Sequence, residues 1–147
     1  MAINTGKVVV GGLAAGVVAN IVGFLLFGMW LGPTFKSEFD AVASGLGAKG
    51  ETTSAIAWNV VGGFVASFIL AWLYAAMRPR FGPGVKTAMY AGLVVWILGF
   101  FFHIDLLVYG LTTPTTYMMA TVAALVQTLA AAWVAGMLYK EDTAAAM

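Results

Sequence analysis

The side chains able to do chemistry in this chain are few, and each lies inside or beside a long apolar run. Asn20, Asn59, Ser67 and Gln127 are amides and a hydroxyl set within such runs, and His103 and Asp105 stand near the end of another. In hydrocarbon, groups of this kind hydrogen-bond across helices or line a polar cavity, because leaving them unsatisfied is costly. The chain has one histidine and no cysteine, which excludes thiolate catalysis, disulfides and Cys-ligated metal centres. A lone imidazole can ligate a haem or pigment axially, or respond to pH, but no second histidine completes a metal site. Residues two apart on a helix point roughly 200° apart, so His103 and Asp105 form no imidazole–carboxylate dyad unless the helix has already ended. The residues therefore predict no catalytic group, no metal and no cofactor. Asn20, Ser67, His103, Asp105 and Gln127 remain as candidate ligand or pore contacts.

Four apolar stretches must position these residues: Val8 to Trp30, Ser54 to Met77, Thr87 to Tyr109, and Tyr117 to Tyr139. Crossing ~30 Å of hydrocarbon takes about 20 helical residues, and each stretch is long enough. Three of the four contain no Asp, Glu, His, Lys or Arg; the third carries only His103 and Asp105. Backbone groups in lipid must be satisfied within the segment, so these spans are predicted as helices. The composition agrees, with 62% hydrophobic and 9% charged residues against about 25% charged in an ordinary soluble domain. A length of 147 residues and a net charge of +1 point to one domain, spanning 1–147, and give no basic field for nucleic acid. The run after Lys7 is too long for a signal-peptide core, so it reads as a retained first span.

Between the first two spans, Phe35, Phe39, Val42 and Leu46 recur at spacings of 4, 3 and 4. This predicts one apolar face of a short helix at the membrane surface, ended by Gly45, Gly47 and Gly50. Arg78 to Lys86, with Pro79, Gly82, Pro83 and Gly84, predicts a tight turn in which the prolines stop the helix. Thr115 or Thr116 is the expected N-cap of the last span. The tail 140–147 reads as disordered. Trp30, Tyr74, Tyr109, Tyr117 and Tyr139 fall near span ends, where interfacial aromatic belts belong.

Five of the seven basic residues, Lys7, Arg78, Arg80, Lys86 and Lys140, flank one side of the predicted spans, and Lys36 and Lys49 flank the other. By the positive-inside rule both termini lie in the cytoplasm of a cell with the chain in its inner membrane. Lys7 and Lys86 each open an odd-numbered span, and Leu73-Tyr74 and Leu138-Tyr139 each close an even one, a loose pattern that either duplication or shared hydropathy produces.

Small residues organise the helix faces. Gly12, Gly16, Asn20 and Gly23 share a face of the first span, and Asn59, Gly63 and Ser67 share one on the second. Such faces let backbones approach closely while amides bond across. Asn20 lies ~18 Å and Gln127 ~15 Å into their spans, so both sit near the midplane, either bonded to each other or bracketing a cavity.

Ile3-Asn4-Thr5-Gly6-Lys7 with the Gly-rich first span, and Ala71-Trp72-Leu73-Tyr74-Ala75-Ala76-Met77-Arg78-Pro79-Arg80-Phe81-Gly82-Pro83-Gly84, resemble a group of small bacterial four-helix integral membrane proteins. The group carries no assigned activity, so the resemblance implies a fold and no function. The expected architecture is an all-α, antiparallel four-helix transmembrane bundle, N-in and C-in, with a short interfacial helix between spans one and two. The leading functional expectation is a helix-packing or accessory subunit that associates with itself, as a homo-oligomer, or with other membrane protein subunits in the lipid bilayer. The alternative is a small oligomeric channel or transporter lined by the midplane amides, and a haem- or pigment-binding protein is the remote third.

Overall fold

The computed structural model describes residues 3–139, and these are helical apart from short connections. Helix α1, Thr5–Gly23, continues as a π-helical segment, Phe24–Trp30. Two short helices follow, α2 (Gly32–Val42) and α3 (Leu46–Lys49). Then come α4 (Thr53–Phe81), α5 (Val85–Phe102), the single turn α6 (Asp105–Val108) and α7 (Pro114–Leu138). Four segments, Thr5–Trp30, Thr53–Phe81, Val85–Val108 and Pro114–Leu138, are long and apolar enough to cross a membrane. The predicted disordered tail lies outside the described residues.

Close packing starts from glycine. Phe68 and Phe64 of α4 lie where Cβ atoms of Gly12 and Gly16 would stand, and Asn20 lies 2.8 Å from the Cβ position of Gly63. Rising positions of α1 thus meet falling positions of α4. On the other side Gly11 approaches the Ala135 carbonyl and Gly23 the Gln127 side chain, both on α7. Gly92 of α5 fits between Ala132 and Leu129, and Gly136 of α7 against Ala88. The buried core is accordingly built of alanines, including Ala15, Ala71, Ala75, Ala91, Ala131, Ala132 and Ala135, with Leu70, Tyr74 and Tyr139. It fills only the half of the molecule near the α4–α5 turn: on α4 no residue before Ser67 is buried, and on α5 none after Gly92.

Local details depart from expectation in instructive ways. Helix α4 does not stop at the prolines; Pro79 lies inside it and the helix ends at Phe81. A proline costs one ladder bond near a helix end, and here the reversal is made by Gly82 and Gly84, at φ +84° and +116°, conformations that favour glycine. The N-cap of α7 is Thr113, with Pro114 following it, two or three residues before the expected caps; proline suits the first turn because its missing N–H has no partner there anyway. Gly47 lies within α3 rather than ending a helix, pressed against the Lys36 backbone where a side chain would not fit. Tyr74 and Tyr139 are core residues, 1% and 2% exposed, instead of belt residues. Each hydroxyl accepts a backbone N–H at the start of another long helix, Tyr74 from Gly84 at 3.1 Å and Tyr139 from Asn4 at 3.1 Å. The rings meet edge to face with centroids 5.8 Å apart, and the Arg78 guanidinium sits 5.7 Å from the Tyr139 ring centre.

Candidate functional site

Beyond the alanine core, the four long helices enclose a cavity of about 750 Å³, within the range of small-molecule sites. Its floor lies at Gly63, Val95, Gln127 and Thr128, and its far end at Phe35, Gly50, Glu51, His103 and Leu106. The π-helical segment contributes Phe24, Phe27 and Gly28 to one wall; π turns recur at functional sites because they displace side chains from the α register. Opposite, the lining residues Ile56 and Val60 of α4 are 54% and 41% exposed, so the cavity opens past this helix. Toward the core it is blocked, since the next turn of α7 buries Ala131 and Ala132.

Among the residues singled out from sequence, Asn20, Gly23, Asn59, Gly63, His103 and Gln127 line this cavity, while Gly12, Gly16, Ser67 and Asp105 do not. Asn20 and Gln127 do not bond each other; they bracket the cavity. Asn20 Nδ2 donates to the Gly16 carbonyl at 2.8 Å and the Val60 carbonyl at 3.3 Å, bridging α1 and α4. Gln127 Nε2 donates to the Ala19 carbonyl at 2.8 Å, tying α7 to α1. Asn59 Nδ2 donates within its own helix to Ala55 at 2.9 Å. Ser67, 2% exposed, donates to the Gly63 carbonyl at 2.8 Å, and so is spent on its own helix. Helix α5 ends at Phe102, and His103 Nδ1 bonds the Gly99 carbonyl at 2.8 Å. Asp105 turns back to accept the Leu106 N–H at 2.9 Å, so no imidazole–carboxylate pair forms.

Several lining residues had no signal in sequence. Trp96 Nε1 donates to the Thr121 carbonyl at 2.9 Å. Tyr117 donates to the Phe100 carbonyl, Thr121 to Tyr117 and Thr128 to Ala124, at 2.8, 2.8 and 2.7 Å. Helical periodicity puts Thr121 and Thr128 on one face of α7, roughly 100–120° from Gln127; spacing could not reveal the α5–α7 bonds.

A second polar cluster fixes α2. The Glu38 carboxylate accepts from the Thr112, Thr113 and Thr116 hydroxyls at 2.5, 2.7 and 2.7 Å. Burial alone would raise this carboxyl, but the bonds from Thr112, Thr116 and Thr113, with the Thr113 backbone N–H, outweigh it and hold it below the ordinary carboxylate value. At the cavity's far end Lys36 pairs with Glu51 at 2.6 Å, and that bond lifts the ammonium above its usual value. With this geometry in hand, comparison with protein-family models, curated proteins and solved structures finds no match for the chain.

Proposed function

We propose that the chain is an antiparallel four-helix transmembrane bundle, with both termini cytoplasmic in an inner membrane, that takes a lipid-soluble small molecule into its cavity. The carrying observation is the cavity itself: about 750 Å³, walled by aromatic and aliphatic side chains and set with convergent amides. Large apolar cavities with a few placed polar groups are the usual form of a ligand site. Trp58, Phe102 and Tyr109, at 76%, 78% and 76% exposed, suit a lipid-facing surface, and a ligand dissolved in the bilayer would enter past α4.

The accessory-subunit reading is weaker on this geometry, because Gly12 and Gly16 receive Phe68 and Phe64 of the same chain and are not left for a partner. A pore through several copies is also weaker, since Asn20 and Gln127 face a blind cavity within one chain and Ser67 is outside it. Native mass spectrometry of the protein extracted gently from its own membranes tests the choice. The expected species is the chain carrying a small-molecule adduct. The adduct should disappear in Gly99→Phe, since a Cβ there meets no atom within 4 Å and the new ring can fill the lining at that point. Absence of any adduct sinks the reading, and a defined mass with other subunits restores the accessory one.

A further inference from the structure

The cavity's hydrogen-bond inventory narrows the ligand beyond "lipid-soluble", an inference that rests on the binding reading above. Its side-chain donors are largely spent on backbone carbonyls. Asn20 uses both amide hydrogens, and Asn59 and Gln127 use one each. The hydroxyls of Tyr117, Thr121 and Thr128 and the Trp96 N–H are all engaged as donors. Because a carbonyl can only accept, His103 Nδ1 carries a proton in its bond to Gly99.

What remains is a surplus of acceptors. Oδ1 of Asn20 and of Asn59 and Oε1 of Gln127 receive no hydrogen bond from the described residues. The three hydroxyl oxygens keep lone pairs. Charge does not oppose this: no Lys or Arg lines the cavity, and its one carboxylate, Glu51 at the far end, is paired with Lys36. Six aromatic rings, of Phe24, Phe27, Phe35, Trp96, Phe100 and Tyr117, complete the lining. A ring face attracts a cation, more strongly once desolvated.

We infer that the ligand is a lipophilic amine, bound as its ammonium, with its N–H groups on the amide oxygens and its apolar part against the rings. An acid or a carbonyl-only compound would find only the second amide hydrogens of Asn59 and Gln127 as donors, against three amide oxygens left without a partner, and each unmatched acceptor is penalised.

Three probes with one tail separate the terms: 4-phenylbutylamine, 4-phenylbutanol and 4-phenylbutanoate. Each is titrated calorimetrically into the full chain in nanodiscs of zwitterionic lipid, with empty nanodiscs as the blank. The amine should bind at least about tenfold more tightly than the carboxylate, with the alcohol between. Asn59→Asp adds a charged acceptor at an exposed lining position and should widen the amine-to-acid ratio; helical content and melting temperature confirm that it folds. Equal or tighter binding of the carboxylate, abolished by Gly99→Phe, overturns the amine assignment and leaves the cavity as the site. An unchanged ratio in folded Asn59→Asp also overturns it. If none of the three binds above the blank, the amine assignment and the binding reading fall together.

Discussion

One carboxylate with three hydroxyl donors does more to order the loop end of the molecule than any ion pair there. Glu38 of α2 collects the hydroxyls of Thr112, Thr113 and Thr116, holding α2 to the start of α7 across 74 to 78 residues of sequence. Hydrogen bonds to a charged group contribute about 1.5–3 kcal/mol each where water is excluded, and less here because Thr113 and Glu38 are partly solvated. Glu38→Ala should therefore lower the melting temperature and raise amide exchange through Gly32–Val42, with little change in α1; unchanged exchange in α2 would remove the anchor. The pH dependence has a definite sign. The fold lowers the Glu38 carboxyl below the ordinary carboxylate value, so its contribution is fully present above the unfolded value and is lost as pH falls through the folded one. Exchange in α2 should rise in acid for the native chain and be insensitive to acid in Glu38→Gln. In sequence, Glu38 reads as a charge on the polar face of a surface helix, and the threonines as an uncharged loop. Neither reading errs locally; the pairing is a tertiary fact that no periodicity encodes. The same holds for the cavity's acceptors, since Asn20 and Gln127 could be placed at midplane depth, but which amide hydrogens were already taken could not.

At the scale of helices, small residues announced close approach without naming the neighbour. Gly12 and Gly16 were legible as a packing face, and the rings that fill it, Phe68 and Phe64, belong to the same chain. Gly16→Leu should therefore destabilise the fold of the single chain. Overpacking of this kind costs typically about 1–3 kcal/mol, read as a lower melting temperature in detergent. Phe64→Ala in the same chain should recover part of the loss, because it vacates the position the new side chain needs. A loss of oligomer at unchanged melting temperature, with no rescue, would instead return this face to intermolecular use. The tyrosine pair makes the complementary point. The recurrence of Leu-Tyr at the ends of two spans was visible, but its purpose was not. Tyr74 closes α4 onto the start of α5, and Tyr139 closes α7 onto the start of α1. Removing one hydroxyl leaves a partly buried N–H without its acceptor, so Tyr74→Phe should cost about 0.5–1.5 kcal/mol by thermal unfolding, and a neutral result would show that water takes over the Gly84 N–H. Helix existence was readable from apolar run length; helix ends were not, because Pro79 and Pro114 are both tolerated at positions set by their surroundings.

For the whole molecule, segregation of charge along the four long helices is the basis of the proposed orientation, since the packing alone does not distinguish the two sides. Arg78, Arg80 and Lys86 surround the turn between α4 and α5, and Lys7 opens α1 at the same end of the packed core, where Tyr139 meets Asn4. Lys36 and Lys49 lie at the opposite end, so the basic residues are unequally divided between the two ends. In the proposed orientation, with basic residues near spans on the cytoplasmic side, the tyrosine-capped end faces inward and the end of the cavity at Glu51 faces outward. A ligand would then reach the site from the outer leaflet. The absence of native cysteine makes this directly measurable, since one introduced thiol gives an unambiguous label. Lys49→Cys should react with a membrane-impermeant maleimide on intact cells, and Arg80→Cys only after the membrane is opened. Both sites are exposed, so a failure to label reflects the side of the membrane and not burial, and labelling of the opened sample controls for expression. The reverse pattern would invert the chain and place the cavity mouth, and therefore the source of its ligand, on the cytoplasmic leaflet. Equal labelling of both before opening would deny the spanning arrangement, and the lateral route to the cavity would lose its meaning with it.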